Sequence, residues 1–488
     1  MNSEKEIILI YPDFRDSHVF QNSGLPVGLG YIARQLEGAC LKYEIVDLNI
    51  DSEDYLIDRI SNLQPKFLGI SMLSYRCRKT YGLLQKLKCE FPQLQIIAGG
   101  PHITANREVA LMDCPAIDVG VVREGEVTIL EILRGDPLST IKGVLYRENG
   151  TVRFTGERNF IEDLDQITFP TYVGFKLEKY GTTMSLHSSR GCPYRCIFCS
   201  APRILGIKWR KRSAQSMVEE VKYWYGRGYR KFYYSDSNFA IDRERVLRFC
   251  DEIIGSGLHV SFTADGLRAN HVDRKLLERM KRGGFTTITF GVESGSNKVL
   301  QNLKKGETRE EIESAIAAAI DLGFNVSLFF LIGSPGEEAD DIQQSFQLAR
   351  KYNVARVWFF NLTPIPGTEF YDWAIARGYL DGSETRYPEG NFGFSERAIL
   401  PTGIITIDQL NRYIRLARRV ERQVVYRYSI YKLLNRSVIK FFADDSILNM
   451  LSWSVSHPVI EPVFRLLLRL ARVVKQRWRF IRRSGLQF

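Results

Sequence analysis

The chain has 488 residues, 44% of them apolar and 25% charged, which is a globular composition and excludes a disordered one. No window reaches about 18 apolar residues without a charge, so no membrane-spanning helix is expected, and the opening MNSEKEIILIYP carries no signal-peptide pattern. Net charge is +11, yet residues 401–488 hold 17 Lys+Arg against 5 Asp+Glu and the remainder is near neutral; this speaks against a nucleic-acid-coating surface and for one local anionic partner.

Residues 1–140 alternate between strand and helix patterns. Strands are expected at 6–11, 43–48, 67–72, 95–100 and 118–122, apolar on both faces as buried parallel strands are. Helices are expected at 28–38, 53–62, 76–90 and 106–112. Such units build a doubly wound parallel sheet, which binds ligands at the carboxyl ends of its strands. Small residues lie at those ends: Ser71 and Ser74, Gly99 and Gly100, and Gly125 between Glu124 and Glu126. Residues 143–156 read as a hairpin turning at Asn149-Gly150, and a polar linker over 141–179 leads onward.

Residues 180–380 show a second alternation. Strands are expected at 184–189, 231–236, 260–265, 286–291, 326–333 and 356–362, with helices at 215–227, 243–255, 274–282, 309–321 and 338–352. Six β/α units suggest a full or partial parallel barrel, whose chemistry sits at the carboxyl ends of its strands. Residues 381–488 lose this rhythm and become basic and helical.

Of eight cysteines, Cys192, Cys196 and Cys199 fall in SSRGCPYRCIFCSAP directly after the first barrel strand. Scattered Cys40, Cys77, Cys89, Cys114 and Cys250 read as small core residues, and no secreted disulfide framework is present, so a reducing, cytoplasmic compartment is expected. Three thiolates on one tight loop can hold an iron–sulfur cubane and leave one iron open to a chelating cofactor. The plainer reading is zinc with His187 as fourth ligand.

The pattern Cys-x3-Cys-x-Phe198-Cys resembles the radical S-adenosylmethionine (SAM) superfamily. Further matches follow in order: Tyr234–Phe239, Gly291-Val292-Glu293-Ser294-Gly295, Leu331–Glu337 and Thr363–Thr368. The resemblance implies a 4Fe-4S cluster on the three cysteines, SAM chelating the open iron, and reductive cleavage to a 5′-deoxyadenosyl radical that takes hydrogen from an unactivated carbon. It implies that Asp236 accepts from the SAM amino group, that Glu293 and Ser294 hold ribose or carboxylate, and that Arg268 pairs with the methionine carboxylate. Phe198 is an adenine contact or loop packing. A one-electron reductant such as flavodoxin or ferredoxin is an implied partner.

Leu25–Gly30, Gly99–His102 and Arg123–Glu126, placed before such a barrel, resemble the cobalamin-binding class of this superfamily. Its N-terminal domain is flavodoxin-like and holds a corrin, here with Ser71, Gly99 and Gly100 as expected contacts. Asp16-Ser17-His18 lacks the glycine of the cobalt-ligating Asp-x-His-x-x-Gly motif, so neither His18 nor His102 is assigned to cobalt.

In the tail, Arg465, Arg469, Arg472, Gln476, Arg479 and Arg483 share one helical face, with Phe464, Leu467, Leu468, Val474 and Trp478 opposite. Such a helix suits an anionic membrane surface, or docks on the barrel with a solvated basic face. The leading expectation is a cobalamin-dependent radical SAM methyltransferase acting on a small-molecule or lipid substrate, without nucleic acid. The alternatives are a tetrapyrrole or lipid cyclase or rearrangement enzyme, which the resemblance to the tetrapyrrole-cyclase and hopanoid-processing branch supports, and a non-catalytic cluster or corrin sensor.

Overall fold

In a computed structural model, residues 6–13, 24–380 and 397–433 are described. The first unit runs β1 (Ile7–Tyr11), α1 (Val27–Gly38), β2 (Tyr43–Asp47), α2 (Glu53–Leu63), β3 (Phe67–Ser71), α3 (Cys77–Glu90), β4 (Gln95–Gly99), α4 (Pro101–Asn106), α5 (Glu108–Asp113), β5 (Val119–Val121), α6 (Thr128–Arg134), β6 (Val144–Glu148) and β7 (Thr151–Phe154). The strand order is β2-β1-β3-β4-β5-β6-β7, parallel through β5. This is the flavodoxin-like order, with its switch point between β1 and β3. Ile7, Ile8 and Ile10 are fully buried, because helices cover both faces of the sheet.

The hairpin expected as part of a separate linker instead extends this sheet. Its strand β6 pairs antiparallel with β5, Val144 opposite Val121. Without it, β5 would present a bare row of backbone donors and acceptors. Asn149 and Gly150 both take positive φ, as the tight turn demands.

The second unit runs β8 (Thr183–Leu186), β9 (Ser189–Arg190), α7 (Ala201–Leu205), β10 (Arg210–Lys211), α8 (Ala214–Gly226), β11 (Lys231–Tyr234), α9 (Arg243–Gly255), β12 (Ser261–Leu267), α10 (Arg274–Arg282), β13 (Phe285–Glu293), α11 (Asn297–Asn302), α12 (Arg309–Asp321), β14 (Asn325–Ile332), α13 (Ala339–Lys351), β15 (Arg356–Asn361) and α14 (Glu369–Ala376). Six parallel strands in the order β8-β11-β12-β13-β14-β15 form a partial barrel, with β8 and β15 at its two ends.

Alternation decides what faces where. Val326, Leu328, Phe330 and Ile332 of β14 are buried in the core against the outer helices. The intervening Phe329 and Leu331 are only partly buried and turn to the inner face. The helix α15 (Ile407–Leu433) lies along β15. Glu421 Oε1 accepts from the Phe359 amide at 2.8 Å, and Arg418 Nη1 donates to the Phe359 carbonyl at 3.0 Å. The basic 459–483 run lies outside the described residues. No described helix is long and apolar enough to cross a membrane.

Candidate functional site

The cysteine loop connects β9 to α7. Gly191 enters it at φ +89°, where an added Cβ would stand 2.3 Å from the Lys208 carbonyl oxygen, so only glycine fits. Backbone bonds then fix the loop: Cys192 N to Gly206 O at 3.0 Å, Ile197 N to Leu303 O at 3.1 Å, and Phe370 N to Ile197 O at 2.9 Å. The three cysteines are free thiols. Burial pushes Cys199 up to about 11 and also raises Cys196, which Lys305 and Arg268 oppose. Cationic iron is the charge that would offset this and stabilise the thiolates. Among the described residues, no group of three Cys, His, Asp or Glu side chains is arranged to hold a single metal ion. A cubane asks for thiolates spread over three irons rather than converging on one point.

The strand-end residues divide into two groups. Asp236 Oδ1 accepts from the Ser188 and Ser189 amides at 2.7 and 3.0 Å, and Oδ2 accepts from the Ser188 hydroxyl. It therefore braces the segment that leads into the cysteine loop. Beside that loop, Glu293 pairs with Lys305 at 3.1 Å, Lys305 with Glu307 at 3.4 Å, and Arg268 with Glu307 at 3.5 Å. The Arg268 guanidinium stacks 3.6 Å from the Tyr194 ring centre, and the Tyr194 hydroxyl bonds His271. Glu293 sits at φ +64°, a left-handed conformation costly for a non-glycine residue and a mark of functional sites. Ser294 is fully buried and turned toward Ser345, 3.3 Å between hydroxyls. Phe198 is partly buried against a small apolar cluster that includes Val299, Leu303 and Leu362.

A cavity of about 550 Å³ lies where the carboxyl ends of the two sheets meet. Ser71, Gly99 and Gly100 line it from one side, and His187, Ser189, Cys199 and Asp236 from the other. Gly28 faces it with nothing within 4 Å of an added Cβ. Gly30, expected beside it, serves a different contact: an added Cβ would meet Pro170 and Tyr172 at 2.8 Å, so it lets the linker close over α1. His102 is fully buried, bonded to Tyr81 at 2.6 Å and Ser74 at 2.9 Å. It is not among the residues that line the cavity. His18 lies outside the described residues. The Ser189 hydroxyl is buried without a partner in the cavity wall. A concave, mostly apolar chamber with a few polar groups, open glycine backbone and the Cys199 thiol of the cysteine loop in its wall fits a corrin next to a cluster and SAM.

Comparison with known proteins agrees with this geometry. Residues 186–349 match the radical SAM superfamily, and residues 17–133 match the B12 binding domain. An uncharacterised methyltransferase of Pyrococcus horikoshii is 30% identical over 393 residues, 77% of this chain and 84% of that one. The chain belongs to the cobalamin-binding radical SAM superfamily. This radical SAM enzyme is also similar to the anaerobic magnesium-protoporphyrin IX monomethyl ester cyclase of Rubrivivax gelatinosus, 26% identical over 75% of this chain and 69% of that one. Its fold matches the solved structure of the cobalamin-dependent SAM radical enzyme OxsB, with a TM-score of 0.72 over 96% of this chain and 75% of that one, at 16% identity. Its cofactors are a 4Fe-4S cluster, SAM and cobalamin.

Sequence reasoning missed Lys305 of this radical SAM enzyme, although the run Lys304-Lys305-Gly306-Glu307 stands out as charge beside glycine. It also missed Tyr194, inside the cysteine motif, as the platform under Arg268.

Proposed function

We propose that this enzyme transfers a methyl group to an unactivated carbon of a small-molecule substrate. One observation carries the reading: a single cavity is lined both by Ser71, Gly99 and Gly100 and by Cys199, so corrin and cluster would share one chamber. When bound, cluster, SAM and cobalamin supply reductive SAM cleavage, hydrogen abstraction and methyl carriage. The chain's own residues bind and orient. Cys192, Cys196 and Cys199 would hold the cluster. Ser71, Gly99 and Gly100 would line the corrin site. Glu293, kept in place by Lys305, would meet the ribose or carboxylate of SAM, Asp236 would face its amino group, and Arg268 on its Tyr194 platform would meet the carboxylate.

The inner barrel face offers the substrate two kinds of wall. On one side the Tyr233 hydroxyl donates to Asp265 at 2.6 Å. Opposite, Phe329 and Trp358 pack with ring centres 5.2 Å apart. An apolar or ring-bearing substrate with one polar group suits such a lumen. A one-electron reductant is the remaining partner this chemistry requires, and the basic 459–483 run is our candidate for contact with an anionic surface.

Methyl transfer is favoured over ring formation because the methyltransferase relative matches at higher identity and over more of its own length. Anaerobic enzyme loaded with iron, sulfide and hydroxocobalamin, then given SAM and reductant, tests this. Methyl transfer consumes SAM as a methyl donor and yields S-adenosylhomocysteine beside 5′-deoxyadenosine. Ring formation yields 5′-deoxyadenosine alone, and a sensor yields neither.

A further inference from the structure

Two buried arginines of the second unit are held by two carboxylates of the first. Arg190 Nη1 donates to Glu124 Oε1 at 2.9 Å, and Arg190 Nη2 to Glu126 Oε1 at 2.6 Å. Arg210 Nη1 reaches the same Glu124 oxygen at 2.7 Å, while Glu124 Oε2 accepts from the Ile161 amide at 2.7 Å. All four charged side chains are 10% exposed or less. The Arg190 guanidinium also lies 4.7 Å from the Tyr31 ring centre on α1.

The location gives this group its meaning. Glu124, Glu126, Tyr31 and Arg190 all line the cavity that fits the corrin. Arg190 stands two residues before Cys192, in the short ladder where Arg190 pairs with Arg210. Two positive and two negative charges balance, so the cluster is neutral as a whole and costly to break at one member. An arginine gripping two separate carboxylates fixes an orientation as well as a distance, which a single ammonium would not.

We propose that Arg190 is a positioning residue. Seated between Glu124 and Glu126, it sets the separation and angle between the corrin site of the first unit and the cluster loop of the second. Both cofactors would bind without it, but the methyl carrier and the radical source would no longer be held in productive register. A misplacement of about 1 Å costs on the order of a hundredfold in rate.

The test uses the full chain loaded anaerobically with cluster and cobalamin. Arg190→Lys keeps the charge and loses the two-armed grip. Glu126→Gln removes one arm and leaves Glu124 to both arginines. Iron and corrin content should match the parent in at least one variant. The magnetic interaction between cob(II)alamin and the reduced cluster, read by electron paramagnetic resonance, should then weaken or broaden. The ratio of S-adenosylhomocysteine to 5′-deoxyadenosine should fall roughly tenfold or more, within the range such misplacement allows. In the cofactor-free protein, proteolysis of the 157–179 linker should quicken. An unchanged magnetic interaction and product ratio in a fully loaded variant would overturn the proposal. So would loss of either cofactor, or failure to fold, in both variants, since the group would then be a structural prop.

Discussion

Glu293 and Lys305 form a buried ion pair 3.1 Å long beside the cysteine loop, with side chains 11% and 6% exposed. The pair holds a glutamate in left-handed backbone at the end of β13. Lys305→Met would leave Glu293 without its cation in a poorly solvated place. Loss of one partner of a buried pair costs about 3 kcal/mol or more. A lower urea midpoint and weaker SAM retention in equilibrium dialysis are expected. An unchanged midpoint would mean that water reaches the site and screens the charge.

Alanine at Cys192, Cys196 or Cys199 should remove most bound iron after anaerobic reconstitution, because in the proposed site each would supply one of three protein ligands. Cys250→Ala is the control. Cys250 is fully buried in the core, so iron content should stay at the parent level while stability falls by about 1 kcal/mol. Iron and sulfide assays decide both arms.

His102 gives a pH dependence with a definite sign. Burial lowers its pKa from 6.5 to about 4. The unfolded chain therefore binds a proton that the folded chain refuses between those values. Its contribution to stability is complete above pH 6.5 and is lost as pH falls toward 4, by about 3 kcal/mol at most. Urea titrations at pH 7.0, 5.5 and 4.5 should show a gap between parent and His102→Gln that changes in this window. The corrin optical spectrum should be the same in both proteins.

Two glycines two residues apart on α1, Gly28 and Gly30, should respond differently. Gly30→Val forces side-chain atoms onto Pro170 and Tyr172 and should cost about 1–3 kcal/mol by overpacking. Gly28→Ala meets only open cavity space, so the fold should be intact and hydroxocobalamin titration weaker. Weak corrin binding by both, with unchanged midpoints, would return Gly30 to the cavity wall.

Much of the architecture was legible because hydrophobic period and helix stop signals agreed. Helices 243–255, 274–282 and 309–321 end where the pattern put them, each opened by a side-chain cap from Asp242, Asp273 or Thr308. The cysteine motif stood out as three thiols within eight residues. What was hidden depends on contacts far apart in sequence. Glu124 meets Arg190, and Gly30 meets Pro170, only after two sheets have closed on each other. Short elements were also missed: α4 begins at Pro101, ahead of the helix expected at 106–112, and β9 and β10 have two residues each. The approach of the Ser294 hydroxyl to Ser345 on α13 is likewise invisible in the sequence.

The side chains of Glu421 and Arg418 have a consequence beyond the stability of α15. An uncovered strand at the end of a parallel sheet is a template on which another chain can polymerise. By occupying the Phe359 amide and carbonyl, the helix denies that template to incoming strands. A protein shortened to before residue 418 would expose it, and such a product should be harvested as oligomers or inclusion bodies even where its barrel still closes around iron.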